Sequence, residues 1–175
     1  MELKTIAWLI SSLFSYSAVA SIDCESLKGQ TLEATVFKVA DGDTATVKLK
    51  ILGSKVKVRF YGADTPESEW KGHWPEQPYS VEAKEFTVTK LNNKNVHVAF
   101  TGDGTYSRCV GEIFVNGKSH SLALINNGYA WWYSKYAPNR KDLKKAQNSA
   151  KRSKIGLWAD SDVQAPWDFR KQHKN

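Results

Sequence analysis

Two short runs with a side-chain period of two constrain this chain more than any other feature. Ala45, Val47 and Leu49 alternate with Thr44, Thr46, Lys48 and Lys50. Beyond a turn at Gly53-Ser54, Val56, Val58 and Phe60 alternate with Lys55, Lys57, Arg59 and Tyr61. Successive side chains of a strand point to opposite faces, so both runs read as half-buried antiparallel strands with one face toward a core. Thr31–Val39, ending at Asp41-Gly42, reads as a third strand.

The remaining pattern builds around these strands. A polar loop containing Trp and Pro runs from Ser68 to Gln77, and Pro78 is expected to open a helix, where it costs no hydrogen bond. Tyr79, Ala83, Phe86 and Lys90/Leu91 share one face of that helix. Asn95–Thr101 and Arg108–Val115 read as two further strands around a Gly-rich turn, Gly102-Asp103-Gly104. Ser119–Asn127 is a short helix stopped by Gly128, and Asn139–Lys154 a longer one with Leu143, Ala146 and Ala150 on its inner side. The fold expected is therefore α+β: a five-stranded OB-type Greek-key β-barrel with one helix between strands 3 and 4 and two C-terminal helices. No internal linker appears, so one domain is expected over residues 21–175.

Composition narrows the function classes. No internal repeat of solenoid or propeller length recurs, and two cysteines cannot build a disulfide-dense scaffold or a four-cysteine zinc site. The net charge of +7 is uneven: residues 135–175 hold eleven Lys or Arg against four Asp, a balance of 11 − 4 = +7, and the rest is neutral. A neutral body with one basic segment suits a polyanionic partner, although basic helices also serve solubility alone.

Residues 1–20 read as a secretory signal peptide. Lys4 precedes an apolar run from Ile6 through Phe14, and Ala18-Val19-Ala20 supplies the small residues of a cleavage site before Ser21. The run is interrupted by serine and falls short of a membrane span. A secreted or periplasmic protein is expected, and in an oxidising compartment Cys24 and Cys109 are expected to pair.

Three segments concentrate polar groups. In Asp41-Gly42-Asp43-Thr44, Asp43 shares the parity of Ala45 and Val47 and would point inward at the barrel mouth. In Arg59-Phe60-Tyr61-Gly62-Ala63-Asp64-Thr65-Pro66-Glu67, Asp64 keeps the parity of Phe60 if the strand runs past Gly62. Two converging carboxylates suit Ca²⁺ or Mg²⁺ rather than zinc. Arg59 has the opposite parity, and a solvated face beside Lys55 and Lys57 is its plainer reading; Glu67 alone reads equally as a loop charge. The third segment, Gly104-Thr105-Tyr106-Ser107-Arg108, adds a second arginine. Two guanidiniums beside a cation are what phosphodiester cleavage uses, because the transition state spreads extra negative charge over the phosphate oxygens.

Taken in order, these three segments resemble the staphylococcal nuclease family in identity and spacing. Gln77-Pro78-Tyr79, Asn127-Gly128-Tyr129-Ala130, Gly156-Leu157-Trp158 and Pro166-Trp167-Asp168-Phe169-Arg170 extend the resemblance over nearly all of residues 21–175. It implies that Asp43 and Asp64, with the Thr65 backbone carbonyl, hold a catalytic Ca²⁺. Glu67 would orient or deprotonate the attacking water, and Arg59 and Arg108 would grip the scissile phosphate. Tyr106 matches a phosphate-contacting tyrosine, and Tyr136 an aromatic that packs on a substrate base. The chain departs from the family pattern at Thr105, where a phosphate-binding lysine is usual, at Ser107 and at Ser134. The function so implied is an exported, monomeric, Ca²⁺-dependent, sugar-nonspecific nuclease acting on DNA and RNA to leave 3′-phosphates, with single or frayed strands as substrates. The rival reading is a noncatalytic OB-type nucleic-acid-binding module.

Overall fold

The computed structural model describes residues 22–105 and 108–173; the expected signal peptide and Tyr106 lie outside them. The alternating runs form strands β1 (Thr31–Asp41), β2 (Thr44–Leu49) and β3 (Lys55–Phe60). Their apolar members meet in register, Val36 opposite Val47 and Val47 opposite Val56. A two-residue strand β4 (Ala63–Asp64) and helix α1 (Ser80–Leu91) precede β5 (Asn95–Thr105) and β6 (Arg108–Val115). β5 pairs antiparallel with both β1 and β6, and β6 returns parallel to β3, closing a five-stranded barrel. Ala34, Val36, Val47, Leu49, Val58, Phe60, Val98 and Ile113 fill its interior. Each such aliphatic or aromatic side chain contributes on the order of 1.5–3 kcal/mol by leaving water.

The C-terminal half covers one end of the barrel. A short strand β7 (Lys118–Ser119) leads into helix α2 (His120–Asn126), where the Ser119 hydroxyl caps by accepting from the Leu122 N–H at 3.0 Å. Strand β8 (Trp131–Trp132) pairs with β4, and α3 (Lys141–Arg152) turns Leu143, Ala146 and Ala150 inward. Helix α4 (Pro166–Gln172) follows, with Pro166 in its first turn and Phe169 buried. Cys24, beside a 3₁₀ turn at Glu25–Leu27, is disulfide-bonded to Cys109 on β6.

Four local expectations need correction. Helix α1 begins at Ser80 rather than Pro78, because Tyr79 takes a left-handed backbone (φ 70°) that no helix accommodates. Strand β5 runs on through Gly102-Asp103-Gly104, absorbing them in a bulge instead of ending at Thr101. The third strand does not run past Gly62: φ of 80° turns the chain there, and an added Cβ would sit 2.6 Å from Leu143 Cδ1. Finally, α4 was not expected as a helix; its 7 residues are too few to show a periodicity.

Candidate active site

The site begins at the β1–β2 turn, whose shape is set from behind. Gly42 is buried, and a Cβ there would lie 2.7 Å from Thr65 Oγ1 and 2.9 Å from Ala83 Cβ, so only glycine lets the turn approach α1 this closely. Thr87 on α1 donates to the Gly42 carbonyl at 2.6 Å. His120 Nε2 lies 3.0 Å from the same hydroxyl. With the hydroxyl proton committed to the carbonyl, Nε2–H is the donor in that second bond. His120 is buried against Phe60 and Phe86, and burial, with the nearby Lys90, pushes its pKa down to about 4. The imidazole is therefore neutral near pH 7 and serves as a fixed donor. Helices α1 and α2 together pin the turn that presents Asp43.

Asp43 and Asp64 converge as their motifs implied. Asp43 Oδ1 accepts from Arg59 Nη1 at 2.8 Å and from the Thr44 hydroxyl at 3.1 Å, and Oδ2 accepts from the Thr65 backbone N–H at 2.8 Å. Asp64 is fully buried; Arg59 Nη2 pairs with its Oδ1, so one guanidinium bridges the two aspartates. Arg59 does not lie on the solvated strand face that its parity suggested, because Asp43 and Asp64 hold its guanidinium in the site.

Glu67 is fixed through its backbone: Gln77 Oε1 accepts its N–H at 3.0 Å and Gln77 N–H donates to its carbonyl at 2.9 Å. The Gln77 amide continues to the Gln164 carbonyl at 2.7 Å, tying this loop to the segment before α4. Glu67, Asp41, Asp43, Arg59 and Arg108 line one cavity of about 900 Å³, with Trp70 and Trp74 on one side and Tyr133 and Tyr136 on another. Tyr136 is well exposed and meets Tyr133 edge-on, while Tyr133 stacks on Trp167 at 5.2 Å. Trp131 instead packs against Trp158 and Trp167, away from the cavity lining.

Two residues of the site went unread in the sequence. Asp41 belongs to an Asp-Gly pair, whose ordinary role is to make a turn. Arg170, on α4, donates to Asp64 through Nη2 at 2.9 Å and Nη1 at 3.1 Å, and its Nη1 also pairs with Glu67. The motif Pro166-Trp167-Asp168-Phe169-Arg170 was visible, but nothing local ties it to carboxylates a hundred positions away.

The electrostatics follow from this crowding. Burial raises the pKa of Asp41 to about 7, helped by Asp43 and opposed by Arg59. Burial likewise raises Asp64 against the pull of Arg59 and Arg170, and raises Glu67 against Arg170. For Arg59, burial works to lower the pKa, but Asp43, Asp64 and Asp41 more than reverse it, so the guanidinium stays charged.

Three carboxylates (Asp43, Asp64, Glu67) thus meet two guanidiniums in ion contact (Arg59, Arg170), with Asp41 beside them, so carboxylates outnumber guanidiniums. That excess, presented by hard oxygen donors, fits a divalent cation of the Ca²⁺ or Mg²⁺ type. Among the described residues no three His, Cys, Asp or Glu side chains converge as a ready cage. A cation here would rest on Asp43, Asp64, the Thr65 carbonyl and water.

A family profile described as staphylococcal nuclease homologue matches residues 57–160, which hold Arg59, Asp64, Glu67 and Arg108. The chain belongs to the staphylococcal nuclease family. Among its relatives, Staphylococcal-like nuclease CAN1 of Arabidopsis thaliana is 34% identical over 125 residues, 71% of this chain and 36% of that protein. An uncharacterized endonuclease of Haemophilus influenzae is 32% identical over 140 residues, 79% of this chain and 73% of the relative. An uncharacterized endonuclease of Escherichia coli is 27% identical over 165 residues, 93% and 94% of the two chains. This member of the family thus spans about a third of the plant nuclease and nearly all of the Escherichia coli protein.

Proposed function

We propose that the protein is an exported, Ca²⁺-dependent nuclease that hydrolyses phosphodiester bonds of DNA and RNA to 3′-phosphate products. One observation carries the reading: Asp43, Glu67, Arg59 and Arg108 from four different chain segments line one cavity, and Arg59 joins Asp43 to the buried Asp64 behind it. A noncatalytic nucleic-acid-binding module would have no use for the buried acidic pair.

The roles divide by chemistry. Asp43, Asp64 and the Thr65 carbonyl would hold Ca²⁺, which when bound supplies positive charge against the phosphate oxygens. Glu67, clamped by Gln77, orients a water and accepts its proton as that water attacks phosphorus. The bond from phosphorus to the 5′-oxygen breaks, and the 5′-oxygen leaves and takes up a proton from solvent. Arg59 and Arg108 stabilise the charge that develops on the phosphate, since a guanidinium keeps its protons and acts as a fixed positive fork. Tyr106 contacts phosphate, and Tyr136 at the rim packs on a base. No base-reading groups are needed for a single or frayed strand held this way.

Incubating the purified protein with labelled single-stranded DNA and RNA in Ca²⁺, in Mg²⁺ and in EDTA tests the reading. Cleavage of both nucleic acids in Ca²⁺, its loss in EDTA and 3′-phosphate termini are expected. Tight binding with no cleavage under any of the three conditions would establish the binding-module alternative.

A further inference from the structure

Arg170 stands ten residues beyond the end of the family match, on helix α4. Its position is nevertheless built. Ala165 and Phe169 are buried, Pro166 starts the helix, and the preceding Gln164 carbonyl is held by Gln77. From there one guanidinium covers both the carboxylate that would hold the cation, Asp64, and the carboxylate that would take the water's proton, Glu67.

With Arg59 on Oδ1 and Arg170 on both Oδ1 and Oδ2, each Asp64 oxygen already faces a positive charge. A divalent cation placed on Asp64 would be repelled by any guanidinium remaining there, and such repulsion is strong in a partly desolvated cavity. The two arginines differ in freedom. Arg59 grows from a barrel strand and bridges two buried aspartates, so its withdrawal would strand Asp43 as well. Arg170 lines the open cavity from a short helix and has room beside it.

We infer that Arg170 is an internal counter-ion that trades places with the cation: it neutralises Asp64 and Glu67 in the cation-free protein and leaves Asp64 as the cation enters. The exchange sets the cation requirement from within the fold, since Glu67 stays paired until Arg170 is displaced. The inference rests on the cation-dependent reading above and adds to it a residue outside the matched domain.

The test is a calorimetric titration of Ca²⁺ into the full chain without nucleic acid, comparing wild type with Arg170→Gln, Arg170→Ala and Arg170→Lys. Removing the positive charge is expected to tighten Ca²⁺ binding at least tenfold in the Gln and Ala variants. It should also enlarge the rise in Tm that Ca²⁺ produces, while Arg170→Lys, which keeps the charge, stays near wild type. Unchanged or weakened binding in folded Arg170→Gln would overturn the inference and make Arg170 a builder of the site. If neither wild type nor any variant binds Ca²⁺, the cation-dependent reading itself falls, and the exchange with it. Thermal unfolding of each variant in EDTA reports its folding, and Gln, which keeps hydrogen-bonding capacity, serves where Ala unfolds.

Discussion

A guanidinium wedged between two buried aspartates is the centre of the site at the residue scale. Arg59 satisfies Asp43 and Asp64 at once through separate nitrogens, a geometry only the planar fork allows. Arg59→Lys is therefore expected to lose both turnover, by a large factor, and stability, because one buried carboxylate loses its partner; removing the charge altogether with Ala should cost about 3–5 kcal/mol. Glu67→Gln should behave differently. The residue is only part-buried, and the amide still accepts from Arg170, so stability should change little while turnover falls roughly 10²–10⁴-fold. Asp43→Asn would remove an anionic ligand of the proposed cation site and should weaken Ca²⁺ binding before it affects anything else. Values of kcat and KM against Ca²⁺ concentration, with urea unfolding in EDTA, separate these outcomes; near-normal kcat in both Glu67→Gln and Arg59→Lys would remove the basis for the assignment. The sequence exposed Asp43 through strand parity, and Asp64, Glu67, Arg59 and Arg108 through their motif order. Asp41 and Arg170 stayed hidden because their roles depend on what the fold does around them: it buries Asp41, and it brings two distant carboxylates to Arg170.

At the scale of elements, the site depends on helices packed behind a turn. The chain His120, Thr87, Gly42 carbonyl links α2 and α1 to the turn that carries Asp43, and burial of the ring favours the neutral imidazole. The folded pKa of about 4 lies below the ordinary histidine value of 6.5, so the unfolded chain binds the extra proton first as pH falls. This contribution to stability is thus fully present above pH 6.5 and is lost as pH falls toward 4, amounting to about 3 kcal/mol. Asp41, Asp64 and Glu67 have raised values that act in the opposite sense over an overlapping range, so a bare pH profile mixes the two. Comparison with His120→Gln, which keeps an N–H donor but cannot titrate, isolates the effect. Urea unfolding at pH 7.5 and pH 4.5 should show a steeper acid loss in wild type than in the variant, and parallel losses would sink the account. The barrel strands were legible because a period of two survives over several residues. The start of α1, the bulged end of β5 and the whole of α4 were not, since each turns on one backbone angle or on a contact made after folding.

For the whole molecule, closure is the step that brings the site together. β6 joins β3 through only three register pairs, Val58 with Cys109, Arg59 with Val110 and Phe60 with Gly111, and this seam carries Arg108 up to the cavity holding Arg59. Cys109 lies in the seam and is bonded to Cys24, so the disulfide ties the N-terminal turn to the strand that closes the barrel. The pair spans 85 residues. In the chain-entropy account, cross-linking a loop of that length removes conformations from the unfolded chain worth about 4–5 kcal/mol. Arg108, by contrast, is also held by its register with Thr105 on β5 and by the seam itself, neither of which needs the sulfur bond. Reduction, or Cys24→Ser with Cys109→Ser, should therefore lower the urea midpoint strongly while leaving kcat of the still-folded protein close to that of the oxidised form. The check is urea unfolding with and without reductant beside activity at low temperature in Ca²⁺. Coincident unfolding curves would mean that the cross-link constrains little the barrel does not already hold, and lost activity in a folded reduced protein would mean that Arg108 depends on it.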